Sequence, residues 1–283
     1  RVASGRGLLP LAHELEGRLR RHFPDAALTV DGLLGDWRLN LVAGVDPAAL
    51  PRRRGLEAQL RHVASPLALA FNSFLPWRGR AADLELAELR GFTELRLLLL
   101  CPTGARGTPP TVTVLARGPG LAVAVEVVAF DYLRPPQRRL APGYGSLPVP
   151  AGLHAWRRTL AEADSGRAHV LHLSLPRLFK LALALERNFA GVERRLLYLF
   201  LEPPEEPEVG PFARHRMELA WLAGCTRKSS VRFAFEPFFG LWERWRAQAP
   251  TPQLREVAGA LLQRYRAPLT RRQGPVLVRC ADG

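Results

Sequence analysis

Apolar residues along this chain fall into helical stripes and short strand-like runs. Leu175, Leu178, Phe179, Ala182 and Leu185 share one face at helical spacing, so residues 175–187 predict an amphipathic helix. Leu254, Val257, Ala258, Leu261, Leu262 and Tyr265 make a second stripe. Thr251-Pro252 opens that helix, and Pro268 is expected to bar its extension. Residues 8–22 read as a basic amphipathic helix that stops before Pro24, and 55–63, 67–75, 212–223 and 237–246 also read as helices. Apolar strands are expected at 95–101, 111–116, 121–130, 196–201 and 231–235. Arg117-Gly118-Pro119-Gly120 is a turn signal between the second and third of these, so they are expected to pair as an antiparallel hairpin. Residues 37–45 read as a short strand or turn, and the Pro/Gly-rich stretch 134–152 as a long surface loop.

The order is therefore helix, three strands, helix, strand, then further α/β elements. Three strands in a row argue against an alternating doubly wound sheet and for an α/β fold with a mixed β-sheet flanked by helices. Residues 1–50 are expected to form a peripheral layer, 51–250 the core, and 251–283 a C-terminal helix and tail. No repeat or low-complexity linker separates them, so one globular unit is expected.

Composition adds limits. With 283 residues and 47% hydrophobic content the chain can bury a sizeable core. It begins at Arg1 rather than Met, as a trimmed chain would. No apolar run is long enough to span a bilayer and no signal peptide is evident, so a cytoplasmic protein with no membrane partner is expected. Cys101, Cys225 and Cys280 lie far apart, which implies neither a zinc site nor a disulfide framework. The net charge of +14 favours polyanionic partners, DNA foremost. Lys180 and Lys228 are its two lysines, so arginine carries nearly all the positive charge. Arginine suits phosphate recognition, and a GC-rich genome produces the same bias.

Several segments resemble the PD-(D/E)XK restriction-endonuclease-like superfamily, and within it a group of bacterial proteins of unassigned role. Trp37-Arg38-Leu39-Asn40-Leu41 looks like that group's W-x-x-N-L, and Gly55-Leu56-Glu57 like its helical G-x-E. Ser65-Pro66-Leu67-Ala68-Leu69-Ala70-Phe71-Asn72-Ser73-Phe74 is similar to S-S-x-A-L-A-x-N-x-F. Cys101-Pro102-Thr103-Gly104 through Pro109-Pro110-Thr111 leads into the strand that bears a metal-binding Asp in such proteins. Ala124-Val125-Glu126 to Phe130-Asp131-Tyr132-Leu133 resembles V-E-S-K-x-x-E-Y-L, and residues 196–202 resemble L-L-Y-L-x-x-E. The likeness covers residues 35–245 and implies a restriction-endonuclease-like αβββαβ core.

It also implies a chemistry that this chain has largely lost. In such nucleases an Asp and a Glu on adjacent strands hold Mg²⁺, which activates the attacking water. A Lys two residues after the Glu stabilises the transition state, on the same strand face. Here Glu126 fills the Glu position, but Thr113 stands at the Asp position and Val128 at the Lys position; a further carboxylate position aligns near Leu98. Lys180, in Arg177-Leu178-Phe179-Lys180-Leu181 where the group has Q-L-x-K-H, is the one lysine placed to substitute.

The expected reading is a catalytically degenerate nuclease-like protein, serving as a DNA-binding or scaffold module with no cofactor. If active, it would be a Mg²⁺-dependent endodeoxyribonuclease using Glu126 and Lys180, with Glu126 and Glu57 on the metal. The third reading is a structural subunit without nucleic-acid affinity; a protein partner or homo-oligomer is left open. Candidate phosphate contacts are Arg52, Arg53, Arg54, Arg138, Arg139 and Arg177. Plainer roles compete for each residue. Glu126 would be a relic neutralised by Arg177 or Lys180, since an unpaired carboxylate in an apolar strand is costly. Glu57 would be a partly exposed helix residue, Asn72 a bridge between backbone groups, and His169 with His172 part of a strand edge.

Overall fold

A computed structural model describes residues 8–136, 139–204 and 210–270. Arg138 and Cys280, singled out above, lie outside them. The chain opens with helix α1 (Leu8–Arg20), then α2 (Leu56–Leu60) and α3 (Pro66–Phe74). The Ser65 hydroxyl caps α3 by accepting from Ala68 N–H, and Pro66 occupies its first turn. Strands β1 (Glu94–Leu100), β2 (Thr111–Gly118) and β3 (Leu121–Val128) follow. Next come a single helical turn α4 (Pro142–Gly145) and helices α5 (His154–Asp164) and α6 (Leu175–Asn188). Strand β4 (Glu193–Phe200), helix α7 (Pro211–Thr226), strand β5 (Val231–Pro237), and helices α8 (Phe238–Gln248) and α9 (Pro252–Leu269) complete the described fold.

The strands form one five-stranded mixed sheet in the order β1-β2-β3-β4-β5. β1, β2 and β3 are an antiparallel meander, and β4 and β5 add in parallel, each after a helical crossover. Nearly every residue of β2 and β3 is buried, in unbroken runs, because helices cover both faces. α3 packs over β2 and β3; α6 packs over β3, β4 and β5. α1 buries Ala12, Leu15 and Leu19 and lies against α9, so the buried core runs from Ala12 to Leu269.

The hairpin β2–β3 forms with the expected turn, and β4 lies in the same sheet. Of the short strand or turn read at 37–45, the turn forms: Trp37–Asn40 make a 3₁₀ turn, because the Asp36 carboxylate accepts from Arg38 N–H and tightens the chain. Elsewhere the reading needs correction at three places. The stretch 134–152 is not a plain surface loop: it holds α4, whose Tyr144 is buried, and the turn Ala151–Leu153, whose Leu153 is fully buried. α5 is absent from the apolar pattern because little more than Trp156 and Leu160 anchors it. Its fixing bond is tertiary, Trp156 Nε1–H donating to Val231 O at 2.8 Å. Finally, α9 continues through Pro268 to Leu269. A proline in the last turn removes one N–H, and Leu269, fully buried, offsets that loss.

Candidate functional site

Glu126 sits in the buried stretch of β3. Its neighbour across β4 is Tyr198, and the β2–β3 register, continued one step, brings Thr113 opposite Glu126 on the same face. Val128, two residues on, shares that face. All four line one cleft of about 710 Å³ between the start of α3 (Ser65, Pro66, Leu67) and the start of α6 (Ser174, Arg177, Leu178).

Arg177, in the first turn of α6, closes on Glu126 with a planar fork. Its Nε–H pairs with Oε1, and its Nη2 donates to Oε2 at 2.8 Å and reaches Thr111 O at 3.4 Å. The negative charge of Glu126, against some loss of hydration, raises the Arg177 guanidinium above its ordinary value. On the other side of the same residue, Arg53 forks to Thr111 Oγ1 at 3.5 and 3.4 Å. The structure thus brings Glu126, Thr113, Val128, Arg177 and Arg53 together around the start of β2.

Lys180 is not part of this group. Its ammonium stands 5.0 Å over the Tyr144 ring and makes no bond to Glu126. Glu57 is exposed on α2 and does not line the cleft, although Gln59 and His62 from the same segment do. Arg52, Arg54 and Arg139 are exposed. Asn72 bridges backbone groups: its Oδ1 accepts from Val42 N–H at 3.0 Å and its Nδ2 donates to Asn40 O at 2.9 Å. His169 and His172 lie on an irregular segment, not a strand edge, because side chains of α7 hold it there. Arg214 donates to His169 O at 3.0 Å, and Glu218 accepts from the Leu171 and His172 N–H groups, each at 2.8 Å.

The cleft walls add groups that the linear pattern does not reveal. Glu16 of α1 pairs with Arg134. Arg20, Asp31 and Asp131 also face the cleft. Crowding by protein on most sides raises the Asp131 carboxyl above the usual carboxylate range, and the nearby Arg134 charge opposes that rise. Counting Glu126 and Arg177, four carboxylates and three guanidiniums line the cleft, so its formal charge is negative in a chain of net charge +14. Burial, with the charges of Glu126, Asp131 and Glu218, raises Tyr198 well above an ordinary phenol. Behind it, His215 Nε2 lies 3.3 Å from Tyr198 Oη, and its ring stacks on Tyr132 at 4.0 Å.

The Mg²⁺ implied by the resemblance does not fit these residues. Both Glu126 oxygens are engaged by Arg177, and a neutral hydroxyl stands opposite. Among the described residues no group of three or more His, Cys, Asp or Glu is arranged to hold a metal ion. Nor is any described helix long and apolar enough to cross a membrane. Compared with family models, with curated proteins and with solved structures, the chain matches none of them.

Proposed function

We propose that this chain is a catalytically degenerate relative of the PD-(D/E)XK nucleases that binds DNA at the rim of the cleft without cutting it. One observation carries the reading: the Arg177 fork occupies both oxygens of Glu126. A carboxylate so engaged already has its charge matched by a guanidinium that repels an incoming cation, and Thr113 and Val128 supply neither a second anionic ligand nor a cation for the transition state. A mixed sheet with three leading antiparallel strands, followed by two parallel ones, agrees with the αβββαβ order. For binding, the support is the exposed Arg52-Arg53-Arg54 run, whose Arg53 contacts Thr111, the residue that the cleft-lining Arg177 also reaches. Exposed arginines meet phosphates through their forks, whatever the base sequence.

The test is a plasmid and single-strand cleavage assay with Mg²⁺ and Mn²⁺, run beside Glu126→Ala, together with titration of labelled duplex. Background cleavage in both proteins and duplex affinity that falls with salt is the expected result. Metal-dependent cleavage lost in Glu126→Ala would establish an active nuclease instead. No duplex affinity even at low salt would leave a structural subunit.

A further inference from the structure

The interior of the cleft is built differently from its rim. Two of its three guanidiniums are bound to carboxylates, Arg177 to Glu126 and Arg134 to Glu16. Asp31 and Asp131 line the cleft together with the third, Arg20, so its interior carries no net positive charge to draw a phosphate in. What the interior does offer is a positioned acceptor. His172 is 3% exposed and lines the cleft. Its Nδ1 lies 2.8 Å from Tyr132 O. A carbonyl can only accept, so Nδ1 carries the hydrogen and Nε2 of the neutral ring holds a lone pair. Among the described residues the ring shows this one hydrogen bond, through Nδ1 and not Nε2. Glu218 clamps the backbone on both sides of the Leu171–His172 peptide and so fixes the ring's base. The same cleft has apolar lining, Leu67, Val128 and Leu178 among it. A fixed acceptor in a partly apolar space of about 710 Å³ suits a small, planar, uncharged ligand that donates an N–H.

Resting on the rim-binding reading above, we propose that the cleft takes in one unstacked nucleobase from a strand held by the rim arginines, the base donating an N–H to His172 Nε2. The phosphates stay outside with Arg53 and its neighbours; the base, uncharged, enters where they do not. Fully paired DNA presents no such base, so a bulged or single-stranded nucleotide is the preferred substrate.

Two measurements test this, and they separate failure of the pocket from failure of the rim. The first is calorimetric titration with free adenine, which needs no rim contact. Adenine is expected to bind the wild-type protein and to bind His172→Gln, whose amide oxygen can stand where Nε2 stood. It is expected to lose about tenfold or more in affinity for His172→Asn. The Asn amide can still donate to Tyr132 O but places no acceptor in the cleft, so this variant should keep its fold, as a thermal melt would verify. The second compares two duplexes that differ in one 2-aminopurine, paired in one and in a single-nucleotide bulge in the other. The bulge is expected to bind about tenfold more tightly, with changed emission, and His172→Asn to remove the preference while leaving paired-duplex affinity intact. Equal, salt-dependent affinity for both duplexes would overturn the base pocket and leave the rim. Adenine binding without duplex affinity at low salt would overturn the proposal as stated, because the strand would not be held at the rim. Adenine affinity equal in wild type and His172→Asn would remove His172 from the site.

Discussion

Arg177 carries the electrostatics around Glu126, because it is the group whose removal leaves a buried charge alone. Glu126 is 7% exposed, whereas the Arg177 side chain keeps 40% of its surface. Arg177→Ala therefore strands a carboxylate inside the sheet, and Glu126→Gln leaves a guanidinium that water can still reach. In urea unfolding, Arg177→Ala is expected to cost about 1–3 kcal/mol, below the full value of a buried pair because of that exposure, and Glu126→Gln under about 1 kcal/mol. Equal costs would mean that the pair is solvated on both sides. This much was legible in the sequence, since a carboxylate in an apolar strand demands a cation, and Arg177 and Lys180 were the two at hand. The choice between them was not legible, because the position of Lys180 depends on the Tyr144 ring of α4, far along the chain. His215 gave no signal either: it sits on an unremarkable helix and is defined by its surroundings. Burial, then the neighbouring His172 and Arg216, holds it well below the ordinary imidazole value. In acid the unfolded chain thus binds a proton that the native state refuses. Stability from this group is present above about pH 6.5 and is lost as pH falls below it, with a limiting slope of about 1.4 kcal/mol per pH unit. Melting curves between pH 5 and 8 should show that slope in the wild type and a flatter one in His215→Phe, which keeps a ring against Tyr132.

Among the elements, the hairpin that carries the site depends on one glycine more than on the other. A Cβ on Gly118 would collide with the Gly91 carbonyl oxygen, a backbone atom that cannot swing away. A Cβ on Gly120, two residues along the same turn, would meet nothing. Gly118→Ala is therefore expected to destabilise by about 1–3 kcal/mol and Gly120→Ala to stay within about 1 kcal/mol, as read by denaturant midpoints. The turn was visible as Gly-Pro-Gly, but its two glycines look alike in sequence and differ only through the neighbouring loop. The same division runs through the fold. β2, β3 and α6 were readable because their own apolar spacing decides their burial. α5 was not, because its anchor is a Trp156 bond to β5, some 75 residues away. Pro268 misled because a proline's cost depends on what the last turn buries, and here that turn buries Leu269.

At the scale of the molecule, charge is distributed against expectation for a nucleic-acid-binding cleft. The chain carries +14, yet the cleft lining is formally negative, so the basic surface lies elsewhere. Compositional bias toward arginine spreads charge without regard to place, whereas a functional rim concentrates the useful part of it at Arg52, Arg53 and Arg54. The two differ in how binding responds to salt. Each phosphate neutralised releases counterions and steepens the fall of log K with log salt by about 0.9 on duplex DNA. Replacing all three rim arginines by Ala should then lower the slope by about 2–3 as well as weaken binding at every concentration. Arg157, Arg158 and Arg227 are also exposed and make the matching control, since their replacement removes the same formal charge from the surface of α5 and the end of α7. Long-range attraction alone would make the two triple variants behave alike, because it depends on net charge and is screened over about 10 Å at 0.1 M salt. Direct phosphate contact makes them differ, with the slope retained in the control and lost in the rim variant. Filter-binding or anisotropy titrations of one duplex at four salt concentrations decide the matter: parallel lines for the two variants would assign the basicity to composition, and a shallower line for the rim variant alone would assign it to the Arg52–Arg54 run.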